Sequence, residues 1–438
     1  MAGRGEARVV VANRAQLSWD LINPDGWLAP DHRARLVVGF VETLDLTVLY
    51  DNIEAREGTA GRPAADPAVL FALWLLATMD GVGSARELDR LTSQDLAYRW
   101  VACGVPVNYH GLADFRVAHG DVLDDLLTKT LAAFMAEGLF DGDEIVVDGT
   151  KIKASAGKSS YKRALRLDEV ETAAKARVAA LKAEVDADPA ASSRRTQAAR
   201  ARSLRETQQR IEKARGKLAE IEAEKAKRAE RSPKEVAEQK EARASLTDPQ
   251  ARRMRCADGA VRASYNVQIA ATTDHGFVTA IQATDRRNDS GLARPMVEQS
   301  EQRLGRSIKR VLADTGFAQV EDIAALSSRP DAPVTVYIPP PKDRTDVKPA
   351  TLLARQKERA TEPQTIKDWR QRMTTDETEA IMKKRGRIER VNANLKNRGF
   401  GTLLVRGLTK VQTIGLWHAL AHNLAIAIRL RAIAASAA

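Results

Sequence analysis

Cysteine is almost missing from this sequence: its 438 residues include only Cys103 and Cys256. Two thiols this far apart make no disulfide framework, and they lack the paired spacing of a zinc site. A reducing cytoplasm fits such a chain. Aromatic residues are scarce too, at 5%, and there is no long apolar run. The most apolar stretch, Val69 to Met79, falls far short of the roughly 20 residues that cross a bilayer. The first residues show no basic-then-apolar leader pattern. A soluble, intracellular protein is expected.

What is present is charge. Charged residues make up 29% of the chain beside 44% hydrophobic ones, and 69 Lys and Arg against 58 Asp and Glu leave a formal net charge of +11. The composition is that of a globular protein, and the length suggests two to four domains. An excess of cations points to a polyanionic partner, because a phosphate backbone releases counterions when Lys and Arg replace them. Solubilising or membrane-surface charge is the blander alternative.

Three textures follow one another along the chain. Up to about residue 140 it reads as helices broken by Gly and Pro, with a capping-box pattern at Ser84 and Glu87 and a helical stripe through Leu123, Leu126, Leu127, Leu131, Phe134 and Met135. Glu144 to Lys153 then alternates and is rich in β-branched residues, as a strand entering a core should be. From about Tyr161 to Ala244 the chain turns to Ala, Glu, Lys and Arg. Leu204, Ile211, Ala214, Leu218 and Ile221 stand seven, three, four and three apart, a coiled-coil seam, and Val170, Ala174, Val178, Leu181 and Val185 form a second stripe. Turn residues at Asp186 to Ser193 allow the chain to reverse between them. A helical hairpin projecting from the core is expected, its charges read as a solvated face or as DNA contacts. Strand and helix patterns resume at Tyr265–Ala271, Phe277–Gln282, Gly291–Leu304, Ile308–Asp314, Val320–Leu326 and Val334–Ile338. They imply an α/β fold with a mixed sheet flanked by helices.

Two of these strands end in an aspartate, Asp148 before Gly-Thr and Asp314 before Thr-Gly-Phe. Taken singly, each could be a turn cap, since Asp beside Gly is common loop chemistry. A third stretch adds weight: Arg385, Glu389 and Lys396 lie four and then seven apart, on one helical face. Seven basic residues between Lys383 and Arg398 surround the single acid Glu389, a pattern suited to handling phosphate. Ile388, Val391 and Leu395 fall on the adjoining face and would dock that helix on a sheet.

The series Val-Asp148-Gly-Thr-Lys-Ile-Lys153, Val-Leu-Ala-Asp314-Thr-Gly-Phe317, Arg385-x3-Glu389-x6-Lys396 and Asn-Arg-Gly-Phe400 resembles the DDE transposases of bacterial insertion sequences, in the group with a Tyr-Arg-Glu-Lys signature. Arg86–Asp89, Tyr98–Trp100, Tyr265–Gln268 and Leu416–Asn423 extend the likeness over most of the chain. Met382 stands where the signature has Tyr, which removes a hydroxyl able to bond phosphate. The resemblance implies an RNase H-like catalytic core over 141–160 and 245–438, interrupted by the helical hairpin at 161–244 and preceded by a helical DNA-binding or assembly domain over 1–140. It implies Asp148, Asp314 and Glu389 as catalytic, metal-binding carboxylates for two Mg²⁺ ions, with Mn²⁺ able to substitute. Two such ions about 4 Å apart can stabilise the attacking and leaving oxygens of an in-line displacement at phosphorus. Arg385 and Lys396 would hold phosphates, with Lys151 as a further DNA contact, although Lys151 and Lys153 could equally be solubilising. The implied partners are double-stranded DNA, as terminal inverted repeats and target, and a second copy of the chain in a homodimer. The implied place is the bacterial cytoplasm, at the nucleoid.

Strand cleavage and transfer is the leading reading. A nuclease that cuts without joining, and a DNA-binding descendant that has lost catalysis, are the alternatives. His418 and His422, four apart on a helix, read as packing residues and not as a metal pair. Asp285, Asn288 and Asp289 read as a loop and helix-start cluster, and Trp417 as core.

Overall fold

Proline after an Asx cap opens the helix that anchors the N-terminal region: Asp66 accepts from the Ala68 amide, Pro67 occupies the first turn, and Phe71 to Met79 are buried on every side. The computed structural model in which this is seen describes residues 23–51, 53, 63–187, 194–231, 241–341 and 357–437. Before the sheet come α1 (Arg33–Glu42), α2 (Thr47–Asp51), α3 (Pro67–Met79), α4 (Ala85–Gln94), α5 (Leu96–Ala102), α6 (Tyr109–Ala118) and α7 (Gly120–Ala136). The capping pattern at the start of α4 is realised, with Ser84 Oγ accepting from the Glu87 amide. Of the expected stripe of α7, Leu123, Leu126, Leu127, Leu131 and Phe134 are buried and Met135 is half-buried.

The sheet is built from β1 (Glu144–Lys153), β4 (Arg252–Arg255), β5 (Val261–Thr272), β6 (Val278–Thr284), β7 (Arg310–Leu312) and β8 (Thr335–Tyr337). β5 pairs antiparallel with β1 and β6, while β7 runs parallel to β1 and β8 parallel to β7. The order β6-β5-β1-β7-β8, with three antiparallel strands first and two parallel ones added beside β1, is an RNase H-like core. β4 lengthens it by pairing with the start of β5. Gly276, at φ 82°, takes the left-handed conformation that the β5–β6 turn requires.

The helical insertion enters and leaves through a two-stranded ladder, β2 (Tyr161–Lys162) with β3 (Ala244–Ser245). Its helices, α8 (Ala164–Ala187) and α9 (Arg194–Arg231), bury a cluster of their own around Leu167, Ala214, Leu218 and Ile221, separate from the main core. The expected turn at Asp186–Ser193 falls mostly outside the described residues. The insertion does not simply project away: near its base Lys217 pairs with Asp285, and Arg252 holds Glu224 at 2.8 Å.

After the sheet's first half come α10 (Ala293–Leu304) and α11 (Val320–Ser327), then α12 (Gln364–Arg372), α13 (Asp376–Met382), α14 (Gly386–Leu395) and α15 (Leu408–Ala437). α15 runs under the sheet and against the N-terminal helices. The Trp417 and Phe71 rings meet tilted, 4.7 Å between centroids, and Asn423 brackets the Val278 backbone with bonds of 2.7 and 2.9 Å. One continuous apolar core therefore joins the N-terminal helices, the sheet and the C-terminal helix.

Candidate active site

Asp148 sits in β1 after four buried residues, where the strand's hydrophobic run gives way to Gly149. Asp314 follows β7, and its Oδ1 accepts from the Gly316 amide at 2.8 Å, capping the short 3-10 turn Thr315–Phe317. β1 runs on to Lys153 because it stays paired with β5, so Asp148 lies inside its strand and not at the end as expected; the parallel β1–β7 register brings it level with Asp314, which follows the last residues of β7. Asp148 is half-buried, with Oδ1 taking the Gly149 amide at 2.9 Å and Oδ2 taking Asn392 Nδ2 at 2.7 Å. Burial first, and then the neighbouring negative charge of Asp314, pushes its pKa up to about 6. Asp289 adds to that rise, and Arg385 works against it.

The helix carrying the third acid is fixed onto this end of the sheet. Ile388, Val391 and Leu395 of α14 are buried at 0%, 2% and 1% exposure, as the docking face requires. Just before the helix, Lys384 reaches Glu144 at the start of β1 at 2.9 Å. Burial opposes ionisation of Glu144, but the Thr273 hydroxyl, Lys384 and Arg310 outweigh it and hold its carboxyl below the usual range. Gly399, at φ 91°, then turns the chain after α14 with its backbone against the Gly81 carbonyl, while Phe400 is buried. That packing accounts for the Asn-Arg-Gly-Phe run.

Glu389 lies one turn before Asn392 on the same face of α14. Its side chain is 63% exposed and pairs with Arg385 at 2.9 Å. Among the described residues, no three His, Cys, Asp or Glu side chains are gathered closely enough to hold a metal ion. The structure thus brings Asp148 and Asp314 together and leaves Glu389 turned to Arg385. Physically, a third carboxylate is repelled by two close ones, and Arg385 offers it the opposite charge. Lys396 is exposed at the end of α14. Lys151 is half-buried and opposite Asn266 on β5.

Two groups near the aspartates escaped the sequence reading. Asn392 is the bridge from α14 to Asp148, and its place three residues after Glu389 was the available signal. Asp289, assigned above to a loop cluster, accepts from Asn266 Nδ2 at 2.7 Å and Gln268 Nε2 at 2.8 Å through one oxygen. The signal there was a pair of alternating amides, Asn266 and Gln268, among the apolar residues of the Tyr265–Ala271 stretch of β5. The histidines behave as packing residues: His418 and His422 are buried in α15, and burial pushes them down to about 3 and about 4.

Two family models match the chain. A transposase domain, DUF772, covers residues 23–117, and a transposase DDE domain covers residues 236–424. The second stretch contains Asp289, Asp314 and Glu389, whereas Asp148 lies before it, across the helical insertion. No curated protein and no solved structure matches the chain. With both models found in order on one chain, over most of its length and on an RNase H-like sheet, this protein belongs to the DDE transposases of insertion sequences.

Proposed function

We propose that the chain is an active transposase of the group with the Tyr-Arg-Glu-Lys signature, which binds the terminal inverted repeats of its element and performs Mg²⁺-dependent strand cleavage and strand transfer. A DNA partner and divalent-metal chemistry come with the family; the residue roles and the joining step are our reading. The observation that carries it is the meeting of Asp148 and Asp314 on adjacent parallel strands, with the Glu389 helix tied to Asp148 through Asn392.

The donor set suits a hard cation. It consists of carboxylate and amide oxygens, and the side-chain oxygens of Asn266, Gln268 and Asn392 are buried without a hydrogen-bond partner. Asp148 and Asp314 would hold the ions, with Glu389 as the third carboxylate once its side chain turns from Arg385. When bound, two divalent cations supply Lewis-acid stabilisation of the attacking and leaving oxygens at phosphorus. Asn392 fixes Asp148 Oδ2, and the Gly316 amide fixes Asp314 Oδ1, so neither carboxylate has to reorganise. Lys396, exposed beside this face, and Arg385, freed when Glu389 moves, would bind strand phosphates as point charge and fork. Lys151 would add a contact along β1. A homodimer on DNA at the nucleoid is part of the same reading.

The test is incubation with Mg²⁺ and a duplex copied from the DNA flanking the gene. Cleaved and joined products support the proposal. Nicks without joining favour a nuclease, and binding without cleavage a descendant that has lost catalysis, for which Met382 in place of Tyr is the sequence's one pointer.

A further inference from the structure

We infer that Asp289 is an additional metal-binding carboxylate of this site, set in place by the buried amides of Asn266 and Gln268. The inference rests on the reading that Asp148 and Asp314 bind divalent cations.

Asp289 lies in the loop between β6 and α10. The bland role for an acid there is to cap the helix, but Leu292 is the N-cap of α10 and no side chain bonds that helix end. The carboxylate turns instead toward the sheet. Its Oδ1 receives both amides of β5, from Asn266 and Gln268, each 0% exposed. These two residues alternate along the strand and so share one face. Gln268 is paired in register with Gly149, the residue after Asp148. A β-carbon on Gly149 would stand 2.2 Å from Asp289 Oδ1 and 2.7 Å from Gln268 Nε2. Only glycine lets this carboxylate rest against β1 beside Asp148. On the other side, a β-carbon on Gly316 would lie 3.7 Å from Asp289 Oδ2 and 2.9 Å from Asp314 Oδ1. One oxygen of Asp289 therefore borders the Asp148 segment, and the other borders the Asp314 turn.

A second observation points to a ligand. The amides that hold Asp289 leave their own oxygens, Asn266 Oδ1 and Gln268 Oε1, fully buried with no partner, as does the Asn392 amide bound to Asp148. Buried carbonyl oxygens are rarely left unpaired. Three such oxygens belong to the side chains that bind Asp289 and Asp148, and carboxylate and amide oxygens are the donors that hard divalent cations select.

The experiment is calorimetric titration of Mn²⁺ into the full chain without DNA, for the parent and for Asp289→Asn, Asp148→Asn, Asp314→Asn and the exposed control Asp258→Asn. Asp289→Asn should weaken Mn²⁺ binding at least tenfold, as the other two site variants do, with the control unchanged and the melting curve still cooperative. Asp289→Ser, which removes charge and bulk together, guards against an Asn variant that misfolds and should give the same loss. Parent-like binding in both Asp289 variants, while Asp148→Asn and Asp314→Asn lose it, overturns this inference and leaves the two-aspartate site standing. Unaltered binding in all of the variants overturns both.

Discussion

At the scale of single residues, Gly149 does the least conspicuous job at the site. A methyl group there would collide with Asp289 and Gln268. Gly149→Ala should therefore cost about 1–3 kcal/mol, the usual penalty of overpacking, read as a lower denaturant midpoint at unchanged slope. A neutral outcome would mean that the Asp289 loop is free to retreat. The choice of third acid is also a residue-scale question, because Glu358, Glu362, Glu377 and Glu379 lie nearby in sequence. Glu362 is occupied by Arg370 at 2.7 Å, and Glu379 sits on α13, exposed and facing Lys383 at 3.9 Å. Glu389 alone shares a helical face with the residue that binds Asp148. Glu389→Gln should abolish cleavage in Mg²⁺ while DNA binding persists, and Glu379→Gln should cut nearly as well as the parent. A parallel nicking assay decides, and parent rates for Glu389→Gln would remove it from the site.

At the scale of elements, the helical insertion is the test of modularity. Its apolar cluster does not join the main core, and the β2–β3 ladder closes its base. Tyr161 belongs to the main core and donates to the Ala251 carbonyl, so the ladder itself has to stay. Joining Arg163 to Arg243 through a short Gly-Ser linker should leave a soluble protein with one cooperative unfolding transition. The loss of Glu224 and Lys217 would release Arg252 and Asp285 to solvent, where both ions can rehydrate. An insoluble or molten product would show that the core needs α8 and α9. The seam of α9 was readable because Ile211, Ala214, Leu218 and Ile221 obey the heptad on their own. The pairing of Lys217 with Asp285 was not readable, since nothing local links residues 68 positions apart.

At the scale of the whole molecule, charge and burial make two further expectations. Binding to duplex DNA should weaken steeply with salt, and Lys396→Ala should lower the magnitude of the log affinity against log salt slope by about one. Without divalent cation Arg385→Ala should change it less, because Glu389 neutralises that guanidinium, and with Mg²⁺ present the two variants should behave alike. An unchanged slope for Lys396→Ala would show that the end of α14 does not touch phosphate. Stability should in turn depend on pH through the buried pair on α15. His418 and His422 titrate near 6.5 when unfolded and at about 3 and about 4 when folded. Below 6.5 the unfolded chain binds protons that the folded one refuses, so stability present at pH 7 falls as pH drops toward 4. The slope from two such groups is at most about 2.7 kcal/mol per pH unit. His418→Leu should flatten it, as measured by melting temperature between pH 7 and 5, and an equally steep curve would place the titration elsewhere.

The sequence by itself determined what periodicity and local chemistry can carry. It marked the β-branched run that becomes β1, the heptads of α9, the cap of α4, and the apolar face that docks α14. Those patterns depend only on neighbours a few positions away, and they sufficed for a mixed sheet flanked by helices and for singling out Asp148 and Asp314, whereas the RNase H-like core was implied by the family resemblance. Tertiary structure decided what depends on distant segments meeting. Only the parallel pairing of β1 with β7 sets Asp148 beside Asp314, and only the fold of the β6–α10 loop lays Asp289 over Gly149 onto two amides of β5. Glu389 was legible as one acid among cations, yet its partner in this structure is Arg385, the opposite charge one turn earlier on the same face.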